Sequence, residues 1–482
     1  MQRCCRTGFP ARLLSETAWE GRPTNPDTCC CVVLVGLVLS AAGGCTPQPG
    51  RAARPLAVLV SGDTAGWIVP CGCTSNQSGG LPRRASCTAQ FRQRADILAA
   101  DVGGAACGTS PYDRLKFEAI LRGEAALGVA AHNVGASEAA LGPEYLRDVI
   151  RRLHAPLVSA NVLAPDGRAI CPPAAVCRAG GRTVALVGVL GEQYASEAIQ
   201  VLPPRQAVLD ALAAIRPPCD YVVVLAYMPE DPLRQLAAGL PEADLIVGGP
   251  TGQPMIPEAI GPTLVASATN KGKFLACFEA RGDGRHWQGR IVELSGRYAD
   301  DPAQLANLRQ FYADLARADF TPEQTGLASP PPSALGAGYR LAGEPSCREC
   351  HTDDCRAWHA SKHAQAWESL RKKGAQVDPY CQQCHSTGYG LPGGFVSPRR
   401  TPKLGGVGCQ SCHGPSQAHA EDPEGIKTPL RPAADRCRGC HDAENSPQFV
   451  YDEYWSKIRH GKESRPAGKE APHPAGATEQ GQ

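Results

Sequence analysis

From residue 55 to residue 318 the apolar positions fall into short runs separated by mixed, helix-like stretches. The runs are LAVLVS (56–61), ADILAADV (95–102), LGVAAHNV (127–134), APLVSANV (155–162), RTVALVGVL (182–190), YVVVLAY (221–227), DLIVGG (244–249), TLVASA (263–268), KFLACFEA (273–280) and GRIVEL (289–294). Runs of this length, rich in Val and Leu and bounded by Gly, Pro, Asn or Asp, predict β-strands. Helical patterns are expected over 113–122, 137–153 and 231–240. Strands spaced by helices predict a layered α/β sandwich. The Pro-rich LASPPPSALGAG (327–338) marks a linker, set at 319–340. Beyond it, 341–462 carries no strand pattern and reads as a small, mainly α-helical domain, with a disordered tail at 463–482.

The N-terminus carries a different apolar pattern. Arg3, Arg6, Arg12 and Arg22 precede CCCVVLVGLVLSAA (29–42) and then GGC, the order of an export signal. That run is short against the roughly 20 residues that a bilayer span requires. Residues 1–45 are therefore expected to be an export segment and 46–54 a flexible tether. Cys45, after Ala42-Gly43-Gly44, resembles the cysteine of a bacterial lipoprotein box and is the expected lipidation site. This implies a lipid-anchored protein at the periplasmic face of a bacterial membrane, in the periplasm or on the outer membrane. A net charge of +2 gives no reason to expect nucleic acid.

Chemistry concentrates in the C-terminal domain. Cys-x-x-Cys-His occurs four times: Cys347, Cys350 and His351; Cys381, Cys384 and His385; Cys409, Cys412 and His413; Cys437, Cys440 and His441. A zinc site needs four local N or S ligands but no trailing histidine. A disulfide framework also leaves that histidine unexplained. A c-type haem explains every position: two thiols add to the porphyrin vinyl groups and the next histidine ligates the iron. Residues i, i+3 and i+4 share one face of a helical turn, so one pentapeptide does both. Four covalently attached haems are expected, and bacterial c-type attachment outside the cytoplasmic membrane again implies export.

The sixth ligands follow by elimination. Met1, Met228 and Met255 are the only methionines, and none lies near the motifs. The spare histidines of the segment are His359, His363, His419 and His460, one for each iron. Bis-imidazole ligation is expected, and it favours low potentials. His359 and His363 lie one helical turn apart, so both cannot serve the same iron. If His359 is idle, one iron stays open to a small ligand such as nitric oxide or hydroxylamine.

CRECH…WHASKHAQAW, CQSCHGPSQAHA and YWSKIRHGK, within about 340–462, resemble the c-552/c-554-type tetrahaem cytochromes of the hydroxylamine-oxidation electron relay. The resemblance implies distal ligands at His363, His419 and His460, one five-coordinate haem, and redox-protein partners in the periplasm or membrane. Cys355 departs from the family, which often has an aromatic residue there.

VSGDTAGW, LAADVGG, VAAHNVGASE, VSANV, VALVGVLG, DLIVGGPTG and SATNKGKF, in 55–298, resemble the 5′-nucleotidase-like, calcineurin-type metallophosphatases. That family holds two metal ions with Asp, His and Asn at strand ends. Here Asp63 and Asn133 survive as vestigial positions, while Ala65, Gly104, Val134, Pro250 and Gly252 stand where ligands are required and Tyr227 falls near another. The departures imply no catalytic residue and no dinuclear metal.

The remaining cysteines suggest other chemistry. Cys71, Cys73, Cys87 and Cys107 are candidates for disulfides, free thiols or a thiolate metal site, and Cys171–Cys177 and Cys219–Cys277 for further disulfides. Arg83 and Arg84 open either an anion site or a solvated helix. The function expected is electron relay, with the α/β domain as docking or sensing module. A haem reductase or oxidase acting on a small nitrogen compound is the alternative, and a residual phosphoesterase the second.

Overall fold

A computed structural model of the chain describes residues 54–70, 77–281, 286–328, 340–428 and 431–461. Cys45 and the export segment, nearly all of the tether, Cys71, Cys73, most of the Pro-rich linker and the 463–482 tail lie outside the described residues.

The apolar runs become strands of two six-stranded sheets. In chain order the strands are β1 (Leu56–Ser61), β2 (Asp96–Asp101), β3 (Val129–Asn133), β4 (Leu157–Val158), β5 (Val162–Leu163), β6 (Ala174–Ala179), β7 (Arg182–Leu190), β8 (Gln200–Val201), β9 (Tyr221–Tyr227), β10 (Leu245–Gly249), β11 (Glu258–Ile260), β12 (Thr263–Ser267), β13 (Phe274–Ala280) and β14 (Trp287–Glu293). One sheet runs β14-β13-β1-β2-β3-β4 and the other β11-β12-β10-β9-β7-β6, while β5 and β8 form a small ribbon. β1 to β4 are mutually parallel, as are β7, β9, β10 and β12; β13, β14, β6 and β11 add antiparallel margins.

Parallel strands are covered on both faces, which is why their sequences are continuously apolar. All six residues of β1 are buried. Val58 and Val60 join Leu186, Leu225 and Val247 in a core shared by the two sheets. Ala57 and Leu59, on the other face, pack with Cys87 and Phe91 of helix α1 (Leu81–Arg92). Helix α2 (Pro111–Leu127) buries Phe117 and Ile120 in the shared core. The outer face of the second sheet is covered by helices described below, and the whole is the layered α/β sandwich expected.

Some elements differ from expectation. The helix expected over 137–153 is two helices, α3 (Ala136–Ala139) and α4 (Pro143–Leu153). Gly142 at φ +87° and Pro143 in the first turn break it, since no helical φ is positive and proline has no N–H to continue the ladder. Helices α5 (Pro204–Ala214) and α6 (Glu230–Ala238) pack Val208 and Leu233 against Val187, Val224 and Ile246. α7 (Pro302–Ala318) closes the region. α1 is not a solvated helix: Leu81, Ala85, Cys87, Phe91 and even Arg84 are buried along it.

Among the described residues the candidate disulfides do not form: Cys87 and Cys107 take the free-thiol alternative, and Cys171, Cys177, Cys219 and Cys277 are free thiols as well. Cys219 and Cys277 belong to the cores under different sheets, out of reach of one S–S bond. Cys87 lies in the core beneath α1, whereas Cys107 meets Asp113 in the first turn of α2.

The C-terminal region is a chain of short helices: α8 (Glu344–Arg348), α9 (Thr352–His359), α10 (Ala366–Arg371), α11 (Pro379–His385), α12 (Cys409–His413), α13 (Gln417–Glu421), α14 (Ala434–Arg438) and α15 (Tyr451–Ile458). Its buried apolar side chains, among the described residues, are Cys355, Leu370, Ala375 and Phe395. That is little apolar burial for a region of over a hundred residues. No helix among the described residues is long and apolar enough to cross a membrane.

Candidate haem-binding site

The motif histidines lie at or beside short helices, and tertiary packing brings them to others far along the chain. The ring centroids of His351 and His419 are 6.2 Å apart, those of His363 and His441 6.1 Å, and those of His413 and His460 5.9 Å. Two imidazoles that each bind one metal at about 2 Å through a nitrogen place their centroids roughly 6 Å apart. The spacing is too wide for stacked rings in contact and right for an atom between them.

The second nitrogens agree. His351 Nδ1 meets Asp354 Oδ2 at 3.2 Å, His385 Nδ1 meets the Ala366 carbonyl at 2.8 Å, and His441 Nδ1 meets Ser446 Oγ at 3.1 Å. His419 Nδ1 meets the Ile426 carbonyl at 2.5 Å, and His460 Nδ1 meets the Ile458 carbonyl at 2.9 Å. Bonds of this kind fix the tautomer and leave Nε2 for a metal. Burial holds His363 below the usual imidazole pKa, and burial followed by the His363 ring does the same to His441. The same burial favours the neutral, ligating form of both. The residues present fit c-type haem.

The motifs also pair with one another. The Cys347 thiol is hydrogen-bonded to Cys409, and Cys440 to Cys384, so CRECH neighbours CQSCH and CQQCH neighbours CRGCH. In a haem-loaded chain these sulfurs are thioethers, so the contacts report which motifs are adjacent. Cys350, Cys412 and Cys437 are free thiols in the same set. Cys355, 3 % exposed, lies beside Cys347 and Cys409. His359 is placed elsewhere: its ring lies tilted against Trp358 at 4.6 Å and its Nε2 lies 3.6 Å from Glu344. Among the described residues no imidazole stands at the metal-bridging distance from His385. Sequence reasoning tied the open iron to His359 but could not say which motif was left without a partner, because the pairing is set by packing.

In the α/β region the two vestigial positions are committed to internal bonds. Asp63 Oδ2 accepts from Thr269 Oγ1 at 2.8 Å and Asn270 N at 3.0 Å. Asn133 Nδ2 donates to the Val102 carbonyl at 3.0 Å and the Val189 carbonyl at 2.9 Å. The Tyr227 ring fills the space over Gly104, where a Cβ would lie 2.6 Å from it, and over Gly135, at 2.8 Å. Glu138, fully buried, accepts from the backbone N–H groups of Gly104, Ala105, Ala106 and Gly135 at 2.6–3.1 Å. A tyrosine ring and a carboxylate thus occupy the strand-end cleft.

Behind them lies a buried ionic cluster that sequence reasoning missed. His132 Nδ1 bonds Glu124 Oε2 at 2.7 Å, and its Nε2 is 3.7 Å from Glu138. Arg84 donates to Ser61 at 2.9 Å and Thr64 at 2.7 Å, and lies 3.4 Å from Asp101 and 3.5 Å from Glu124. Arg84 therefore serves neither an anion site nor a solvated face. Burial works against charge on His132, yet Glu124 and Glu138 raise its pKa well above the usual value. Burial likewise opposes ionisation of Glu124 and Glu138, but His132 holds both below the usual range. Burial, then the Glu124 charge, raises Asp101 to about 7. Asp101, Glu124 and His132 stand close enough to hold a cation, but the Arg84 guanidinium already faces both carboxylates.

The C-terminal region rests on this same end of the sandwich. Tyr112 donates from its hydroxyl to Asp378 Oδ1 at 2.7 Å, and Trp67 meets Tyr380 edge to face at 5.3 Å. Lys271 pairs with Glu444 and lies 5.3 Å over the Trp67 ring.

Residues 346–414 match the family model of cytochrome c554 and c-prime. Over 148 residues the chain is 32% identical to a cytochrome c-554 of Nitrosomonas europaea, a match covering 24% of this chain and 63% of that relative. The chain thus spans less than two thirds of the relative's length. Solved structures similar to it include a 5′-nucleotidase precursor from Thermus thermophilus, at TM-score 0.47 and 18% identity, covering 73% of each chain. A calcineurin-like phosphoesterase, YfkN, from Bacillus subtilis follows at TM-score 0.46 and 17% identity, covering 54% of this chain and 97% of its own. Residues 346–414 of the helical C-terminal region are thus similar to the cytochrome c554 family, and that region follows a two-sheet α/β domain.

Proposed function

We propose that the chain is a tetrahaem electron-transfer protein, exported and tethered to a membrane through Cys45, that relays electrons between redox proteins outside the cytoplasm. Three irons would be held by His351 with His419, His441 with His363, and His413 with His460. The fourth would be held by His385, which no imidazole among the described residues faces. The observation that carries this reading is the set of three ring pairs at 5.9–6.2 Å. When bound, the haems supply reversible one-electron iron chemistry. The chain's own residues do the rest: the Nδ1 partners of His351, His385, His419, His441 and His460 would hold those rings and raise their basicity, and paired imidazoles would keep potentials low. No side chain performs acid–base chemistry in such a relay. The α/β domain is a catalytically inactive docking module, a reading supported by Tyr227 and Glu138 filling its strand-end cleft.

A second reading, turnover of a small nitrogen compound at iron, is favoured by one observation, the absence among the described residues of an imidazole facing His385. Haem content, EPR and carbon monoxide titration of the purified protein test both. Four haems per chain, one high-spin iron and one carbon monoxide bound are expected. Four low-spin irons with no carbon monoxide bound would sink the open-iron assignment. Turnover of hydroxylamine or nitric oxide by the isolated protein would replace relay with catalysis. Phosphodiesterase activity abolished by Asp63→Ala would overturn the inactive reading of the α/β domain.

A further inference from the structure

The motif without an imidazole partner is also the one that the α/β domain grips. α11 is a single short helix that contains all of CQQCH. Its N-cap is Asp378, whose Oδ1 accepts from Tyr380 N at 3.0 Å. The same oxygen accepts the Tyr112 hydroxyl at 2.7 Å, from the first turn of α2. Tyr112 is 1% exposed and Asp378 8% exposed, so the bond is shielded from water. Lys116 Nζ lies 5.1 Å from the Tyr112 ring and 5.2 Å from that of Tyr380, and Trp67 closes the other side of Tyr380. The far end of α11 is tied by the bond between His385 Nδ1 and the Ala366 carbonyl. The seating of His385 is thus fixed at two points, one within the cytochrome domain and one supplied from α2.

An iron with two imidazoles is centred by both. An iron with one depends on the pitch of that one, and here the pitch is set by α11. We propose that Tyr112 is a positioning residue for the iron on His385: through Asp378 the α/β domain sets the axis of that ligand, and with it the potential and ligand affinity of the open haem. The assignment rests on the reading of His385 given above, and it turns the α/β domain from a passive platform into the part that tunes one haem of four. Burial, then the Asp378 carboxylate, keeps the Tyr112 phenol protonated far above its usual pKa, so it remains a donor at any working pH.

The test uses the full-length haem-loaded protein with Tyr112→Phe, which removes one hydrogen-bond donor and keeps the ring. Tyr145→Phe, elsewhere on the α/β domain, serves as control. Haem content confirms folding, and the readouts are the high-spin EPR signal, the carbon monoxide association rate and the potential of each haem. In Tyr112→Phe the carbon monoxide rate and the high-spin potential are expected to change, the rate by roughly three- to ten-fold, the factor one net hydrogen bond represents. The low-spin signals and potentials should stay at wild-type values, as should every signal in the control. Asp378→Ala, which also removes the cap, should move the same readouts further. One high-spin iron in wild type with none of these changes in Tyr112→Phe would overturn the inference while leaving the reading of His385 intact. Equal shifts at all four haems would overturn it as well, as general loosening. A wild type with no high-spin iron would overturn both, before any variant is made.

Discussion

His132 shows at the scale of one residue how this protein stores charge. It is fully buried between Glu124 and Glu138. Removing one partner of such a set leaves the others uncompensated, so His132→Gln should cost about 3–5 kcal/mol in denaturant unfolding. The pH dependence follows from the shifts. His132 titrates above its usual 6.5 in the folded chain, so its contribution is complete below pH 6.5 and is lost as pH rises through the folded value. Glu124 and Glu138 titrate below 4.5, so theirs is present above pH 4.5 and is lost as pH falls through the folded values. Asp101, raised from 3.8 to about 7, favours the acid side throughout that span. The cluster is therefore most stabilising between pH 4.5 and 6.5, toward the acid end. Melting temperature against pH should fall on both sides in wild type and lose most of its alkaline fall in His132→Gln. Gly104 makes the opposite point. It sits at φ +79° under the Tyr227 ring, so Gly104→Asp should destabilise by about 2–4 kcal/mol and restore no phosphoesterase activity. None of this was legible from composition. Glu124 and Glu138 look like ordinary surface acids in the sequence, because the groups that justify their burial come from three other elements.

At the scale of elements, legibility tracks burial. Central strands such as β1, β7 and β9 matched their apolar runs, because both faces are covered and every position is apolar. β6 alternates between half-buried and exposed residues at a sheet margin and carries no such run, so it was not foreseen. α1 was misread because its arginines suggested solvent, while Arg84 in fact turns inward. Local signals were more faithful where the chemistry is local. Ser110 caps α2 in a reciprocal box with Asp113, and Ser110→Ala should cost about 1 kcal/mol. α13 carries His419 and the end of α9 carries His359, and these two should part cleanly in experiment. His419→Ala should raise carbon monoxide binding by one per chain, reversed by added imidazole, whereas His359→Ala should leave it unchanged. Equal effects of the two would break the ligand assignment.

For the whole molecule, the two domains act as one because strand-end loops of the sandwich meet the segments around CQQCH and CRGCH. The Lys271–Glu444 pair is half-exposed and so is worth only about 0.2–1 kcal/mol. Lys271→Glu should weaken domain docking slightly, measured as earlier melting of the cytochrome signals, and Lys271→Glu with Glu444→Lys should recover it. Failure of the double variant to recover would mean that Lys271 acts through the Trp67 ring instead. The buried apolar side chains of the C-terminal region are so few that removing haem should unfold it while the α/β domain keeps its own core.

The sequence by itself determined the four Cys-x-x-Cys-His motifs and the central strands, because such a motif and an apolar run are each complete within a few residues. It also narrowed the distal ligands to four histidines by counting. Only the tertiary structure decided which rings face one another, that no imidazole among the described residues faces His385, that Arg84 points inward, and that Tyr112 bonds the N-cap of the helix carrying CQQCH. Those outcomes join groups tens to hundreds of residues apart, and their energies come from burial and geometry that no local pattern encodes.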